Sequence, residues 1–204
     1  NGVLLLESTR VTVAEADFRR PLYGGGGGNG YMYRIQHSGL CLIRDSKATF
    51  SRHGFVFSHM GAAGNVLLRC TDAVTGRAVG DSGPGGYVTS GKGSDHHMHM
   101  SHANLIDACT ANDAWFEARY RGTSGTVAHA LTAAHTVFWN TEGLGTIANA
   151  VVVTEQSRYG YAIGTRGNRA TISRPGVARA KTDPLDHVEG EGLGSTLEPF
   201  SLYE

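Results

Sequence analysis

Five segments of the chain can be laid over one another, and this repeat constrains the fold more than any other feature of the sequence. They run from Ser8 to Asp17, Ser38 to Lys47, Ala62 to Thr71, Ser101 to Thr110 and Thr132 to Thr141. Superposition aligns the small or polar residues Ala16, Ser46, Cys70, Cys109 and Asn140 in one column, at spacings of 30, 24, 39 and 31 residues. Repeat periods between about 20 and 50 residues mark stacked units, each covering the apolar face of the last. Three residues before that column stand Val13, Ile43, Leu67, Ile106 and Val137, so one apolar ladder is expected to run through the core. A strand-like run precedes each copy: Val3 to Leu6, Tyr31 to Ile35, Phe55 to Ser58, His97 to Met100 and Trp115 to Ala118. No stretch carries the 3.6-residue apolar period of an amphipathic helix, so strands must supply the core.

Short strands, repeated units and ladders of equivalent side chains resemble the right-handed parallel β-helix of the pectate-lyase-like superfamily, over roughly residues 2 to 165. The resemblance implies an all-β, single-stranded solenoid of about five or six coils over residues 1–167, with an irregular C-terminal tail, 168–204, packed along it. It also implies a carbohydrate substrate and a secreted or periplasmic location. The chain opens on a strand-like run without an initiator Met, which suggests a mature or truncated product lacking upstream coils. Asn65 and Asn104 share a column and are expected to form an amide ladder. Cys70 and Cys109 are likewise neighbours, and stacked thiols rather than a disulfide are expected there.

The 29 glycines among 204 residues are about twice the usual share. They follow no Gly-X-Y period and come with only 5 prolines, so they read as tight turns between short strands. A net charge of +0 and a pI near 7.3 provide no field to gather nucleic acid or anionic lipid. No apolar run approaches the roughly 20 residues of a membrane-spanning helix. Three cysteines without a Cys-x-x-Cys pair make neither a disulfide framework nor a zinc motif. The run Gly24 to Gly28 lacks the Lys-Ser/Thr that would make it a phosphate loop. Two long stretches, Thr75 to Asp95 and Arg121 to Leu131, read as binding loops flanking one face.

Overlaying Gly54 to His59, His96 to Ser101 and Ala114 to Arg119 nominates that face. Strand alternation puts Val56, Met98 and Phe116 on one side and three columns on the other: Phe55, His97 and Trp115; Phe57, His99 and Glu117; His59, Ser101 and Arg119. Tyr31, Tyr33, Phe57 and Trp115 then read as platforms for sugar rings, with Arg34, His97 and Arg121 completing the substrate-binding set. His59, His99, Glu117, Arg119 and Tyr120 form the catalytic set. In β-elimination from a uronate, Arg119 neutralises the carboxylate, His99 or His59 removes the C5 proton, and Tyr120 or Tyr33 protonates the leaving oxygen. Two alternatives stay open. One is glycoside hydrolysis by Glu117 with a second carboxylate, for which Asp95 is the available partner. The other is a non-catalytic trimeric fibre or glycan-binding module that buries the aromatics in an interface. The histidines carry two further readings, a divalent metal held by His97, His99 and Asp95, and a ladder that merely pairs with Asp95 and Asp107. The expected partner is a polysaccharide or oligosaccharide rather than nucleic acid or membrane, the protein being a monomer or homotrimer without a required cofactor.

Overall fold

In the computed structural model, residues 2–21, 29–75, 93–121, 129–174 and 184–204 are described. The run Gly24 to Gly28 and most of the two long loop stretches lie outside them. Every strand pairing among the described residues is parallel, and helix is confined to short 3-10 turns such as Gly194–Thr196. This is an all-β fold of parallel sheets compatible with a solenoid. No helix among the described residues is long and apolar enough to cross a membrane.

Most of the strands fall into three rows, and Ser101–His102 pairs with Ala133–Ala134 in a separate two-stranded sheet. The first is a seven-stranded sheet in chain order, Val3–Leu6, Tyr31–Gln36, His53–Ser58, Ser94–Met98, Phe116–Ala118, Val152–Thr154 and Ile172–Ser173. That exceeds the five or six levels read from the sequence. The second row holds Thr12–Ala14, Leu42–Arg44, Val66–Leu68 and Leu105–Asp107, and the third holds Asp17–Arg19, Lys47–Thr49, Thr71–Ala73 and Thr110–Asn112. Val137–Leu144 pairs with both rows and joins them, together with Tyr161–Gly167 and His187–Glu189 stacked beyond it, into one eleven-stranded sheet.

The turns before, between and after rows two and three are built by single residues in the left-handed conformation, five positions apart. Arg10, Glu15 and Arg20 begin the series, followed by Leu40, Asp45 and Phe50, then Gly64, Arg69 and Val74, then Ala103, Ala108 and Asp113, then His135, Asn140 and Gly145. Between neighbouring corners lie one linking residue and a three-residue strand, so each repeat contains two pentads. Left-handed φ costs an ordinary L-residue on the order of 1 kcal/mol. Here the corner amide donates to the carbonyl of the next repeat, as from Glu15 to Arg44 (3.2 Å), Asp45 to Leu68 (3.0 Å) and Arg69 to Asp107 (3.0 Å). Stacking thus offsets the strain.

The linking residues make the expected ladders. Asn65 Nδ2 donates to Asn104 Oδ1 at 3.0 Å, and the backbone amides of Cys41 and Asn65 donate to Asn65 Oδ1 and Asn104 Oδ1. Cys70 and Cys109 are buried free thiols, donating to the carbonyls of Ile43 and Leu67. The apolar ladder runs Val13, Ile43, Leu67, Ile106 and then Phe138, not Val137. The misplacement follows from aligning Asn140 with Cys109. Asn140 is a corner residue at φ 50, a conformation that Asn tolerates well, and Thr141 is the linking residue.

Strands do not stop at residue 167. Ile172–Ser173 extends the first sheet, and His187–Glu189 pairs with Tyr161–Gly167. The last residues turn back over the outer face of the eleven-stranded sheet. Trp139 Nε1 donates to the Pro199 carbonyl at 3.1 Å, the buried Asp107 accepts from the Ser201 hydroxyl (2.7 Å) and the Tyr203 amide (2.8 Å), and Arg69 pairs with Glu204.

Candidate functional site

Register decides which side chains meet. On the first sheet Asp95 stands between Val56 and Glu117, and His96 stands beside Phe57. The outward column therefore contains Arg34, Val56, Asp95 and Glu117. The overlay that placed His99 beside Glu117, and His97 beside Phe55 and Trp115, is corrected. On the strands Tyr31–Gln36 and His53–Ser58 its faces are also reversed, because Tyr33, Phe55 and Phe57 point inward and belong to the core, whereas Phe116 is inward as expected. Tyr31 is buried too. These rings are neither outward sugar platforms nor an aromatic interface for a trimer. His59 and His99 occupy a corner column with His37, ring centroids 4.4 and 4.6 Å apart, all three in the left-handed region. That column is separate from Glu117 and Arg119.

The alternation fails at His97, where the pairing with His53–Ser58 slips by one residue between His96 and Met98. A bulge of this kind re-aims one side chain. His97 Nδ1 donates to Asp95 Oδ2 at 2.9 Å, and its Nε2 accepts from the Tyr31 hydroxyl at 3.1 Å. The tautomer is assigned from these partners. The Tyr31 oxygen also accepts from Arg52 at 3.2 Å, while the guanidiniums of Arg34 and Arg52 each lie 5.5 Å from its ring centroid. Arg121 donates to Asp95 Oδ2 and lies against His97. His53 completes the group. Its Nδ1 donates to the Gly93 carbonyl at 2.9 Å and lies 3.5 Å from Asp95 Oδ1. The rings of Tyr31, His53 and His97 meet edge-on at 5.1 to 5.4 Å, and His129 packs edge-on against His97.

Burial sets the protonation of this cluster. It holds His53 down to about 3, so that ring is neutral at physiological pH. Burial alone would raise the Asp95 carboxyl, but His53, His97 and Arg121 around it reverse the shift and hold it well below the usual carboxylate range. The guanidinium of Arg121 carries a permanent charge, and so it is the counter-ion. Burial pushes Glu117 up, with the attraction of Arg119 opposing and the charge of Asp95 adding to the rise. Glu117 accepts from Trp115 Nε1 at 2.8 Å and lies 3.3 Å from Arg119 Nε. Tyr31 is raised chiefly by burial, and Arg52 and Arg34 work against that rise.

Of the residues nominated from sequence, Tyr31, His97, Arg121 and Glu117 are buried within or beside the cluster. Arg34, Trp115, Arg119 and Tyr120 are half-buried, and His99 is exposed. Sequence reasoning missed Arg52 and His53 as site residues. They were missed because the overlay began at Gly54, one residue after His53, and so left both outside the compared columns.

A second polar group lies inside the fold. His96 stacks on Phe57, donates to the Glu117 carbonyl (3.3 Å) and accepts from the Thr136 hydroxyl (3.2 Å), and burial holds it down to about 4. Asp72 accepts from the Ser94 hydroxyl, which in turn accepts from the Phe55 amide. Burial raises Asp72 to about 6. A folded pKa above the unfolded value means that the stabilisation is fully present below about pH 3.8 and is lost as pH rises through about 6. At pH 8 the ionised group costs about 3 kcal/mol. Asp72→Asn should therefore raise stability at pH 8 by about 1 to 3 kcal/mol and change little at pH 3.5. Urea unfolding at the two pH values checks this, and an equal gain at both would show that ionisation is not the cause.

No family model matches the chain, no curated protein sequence matches it, and no solved structure matches its fold.

Proposed function

We propose that the chain is a single-stranded right-handed parallel β-helix, secreted or periplasmic, that cleaves an extended uronate-containing polysaccharide by β-elimination. One observation carries this reading: the hydrogen-bonded line from Asp95 through His97 to Tyr31 ends at a phenol flanked by Arg52 and Arg34. The roles differ from those read from sequence, because the base becomes Tyr31 in place of His99 or His59. Arg52, whose Nε makes no hydrogen bond, and Arg34 bind the uronate carboxylate and stabilise the charge that develops on it. Tyr31 is buried beneath these two guanidiniums, so they must part to admit the uronate; the Tyr31 proton then passes to His97 Nε2, where the imidazolium is held by Asp95, and the phenolate removes the C5 proton. The C4–O bond breaks as the C4=C5 bond forms, Tyr31 returns the abstracted proton to the leaving oxygen, and His97 returns its own to Tyr31. No proton is gained or lost overall.

Hydrolysis is the second reading. Asp95 and Glu117 are direct neighbours across two parallel strands, and their environments push the two carboxyls in opposite directions, which is how one acid and one base are prepared. A screen on acidic and neutral polysaccharides separates the two. Elimination produces ultraviolet-absorbing unsaturated ends, whereas hydrolysis produces new reducing ends without absorbance. Arg52→Gln should lower kcat/KM on an acidic chain by about 100-fold. Absorbance that never appears on any uronate polymer would reject elimination.

A further inference from the structure

His53 has no part in the proton path, yet it is fully buried against it. We infer that His53, Asp95 and His97 form a binding site for a divalent transition-metal ion of the zinc class, with Arg121 as the counter-ion that such an ion displaces. The three residues each present one ligand atom, and these atoms lie within 4.8 Å of one another. Two imidazoles and one carboxylate suit zinc, cobalt or iron, whereas calcium and magnesium take oxygen ligands. Two of the three residues hold an unused electron pair. His53 Nδ1 is committed as a donor to the Gly93 carbonyl, which leaves Nε2 as the ring's lone pair, and Nε2 makes no hydrogen bond. Asp95 Oδ1 is also without a hydrogen bond. An imidazole whose other nitrogen is tied to a backbone carbonyl is the usual setting of a metal-bound histidine.

Coordination has a stated proton balance. When the ion takes His97 Nδ1, the proton there moves to Nε2, and Tyr31 changes from donor to acceptor. The imidazole remains neutral and no proton leaves the protein. Arg121 cannot stay against Asp95 beside a doubly charged ion, so its guanidinium must swing away. Guanidinium and metal are thus alternative partners for one carboxylate. Because the metal-bound tautomer removes the acceptor that Tyr31 needs, bound metal should also suppress elimination. The binding itself rests on geometry alone and does not depend on the elimination reading.

The probe is Co²⁺, added to protein freed of metal with a chelator and without substrate. The expected result is one equivalent bound, with visible absorption of a low-coordinate Co²⁺ centre that Zn²⁺ abolishes by competition. Arg121→Gln should tighten binding by about tenfold by removing the competing charge, and His53→Ala should weaken it by at least about tenfold. Circular dichroism would establish that each variant retains its strands. His99→Ala, in the exposed corner column, should leave the affinity unchanged. The inference is overturned if neither the parent protein nor Arg121→Gln shows stoichiometric binding. It is equally overturned if His99→Ala rather than His53→Ala removes the signal, which would assign the ion to the surface histidines. Elimination assayed in chelator tests the other reading separately.

Discussion

Replacing Tyr31 by Phe is expected to lower turnover on an acidic polysaccharide by about two to four orders of magnitude, the usual contribution of a positioned acid or base. The ring and its packing against His53 and His97 remain, and only the oxygen is lost. That oxygen is the sole atom that can both accept from Arg52 and donate to His97. Binding should suffer less than catalysis, because Arg34 and Arg52 keep their charges. KM should therefore stay within about a factor of ten while kcat collapses. His97 Nε2 loses its donor in the variant, a cost of about 1 kcal/mol in stability. A Tyr31→Phe protein with normal turnover would remove the phenol from the mechanism and return attention to the Asp95 and Glu117 pair.

Phe138→Ala should cost about 3 to 5 kcal/mol, the largest stability effect expected in the molecule. Phe138 is 1% exposed. It occupies the rung next to Ile106 in the apolar ladder, shares a packed interior with Leu67, Phe55, Phe57 and Phe116, and faces the edge of His96. Val137, one residue earlier, is half-exposed and points the other way. Val137→Ala should cost less than about 1 kcal/mol. Urea unfolding of the two variants measures the register directly. The reverse ranking would mean that the ladder passes through Val137 after all.

Those two residues show where sequence reading succeeded and where it stopped. The parallel-stranded class, the column of Ala16, Ser46, Cys70 and Cys109 and the asparagine ladder were legible because short strands between fixed corners preserve spacing. The fifth copy slipped by one because Asn140 resembles a linking residue by size but is a corner by conformation. The first sheet was harder. Ser94 and His96 face inward where apolar residues are expected, and the bulge at His97 breaks the alternation on which the overlay relied. A polar interior defeats a rule that equates inward with apolar. The histidine-rich stretch was visible as an anomaly, but which of its rings meets Asp95 and Tyr31 depended on a one-residue slip that composition does not encode.

The paired pentads divide each repeat into a part that never changes length and a part that always does. Arg10 to Arg20, Leu40 to Phe50, Gly64 to Val74, Ala103 to Asp113 and His135 to Gly145 span the same number of residues. Every difference in repeat length is absorbed in the arcs between them, and those arcs carry Tyr31, His53, Asp95, His97 and Arg121. Insertions and deletions in the loops that flank the strands of these arcs leave the pitch of the corners untouched, since added loop length is tolerated far better than a change in a stacked turn. Such a chain inherits its rigidity and its chemistry through different residues. New specificities can be grafted onto the variable arcs, and a constant frame will accept them without being rebuilt.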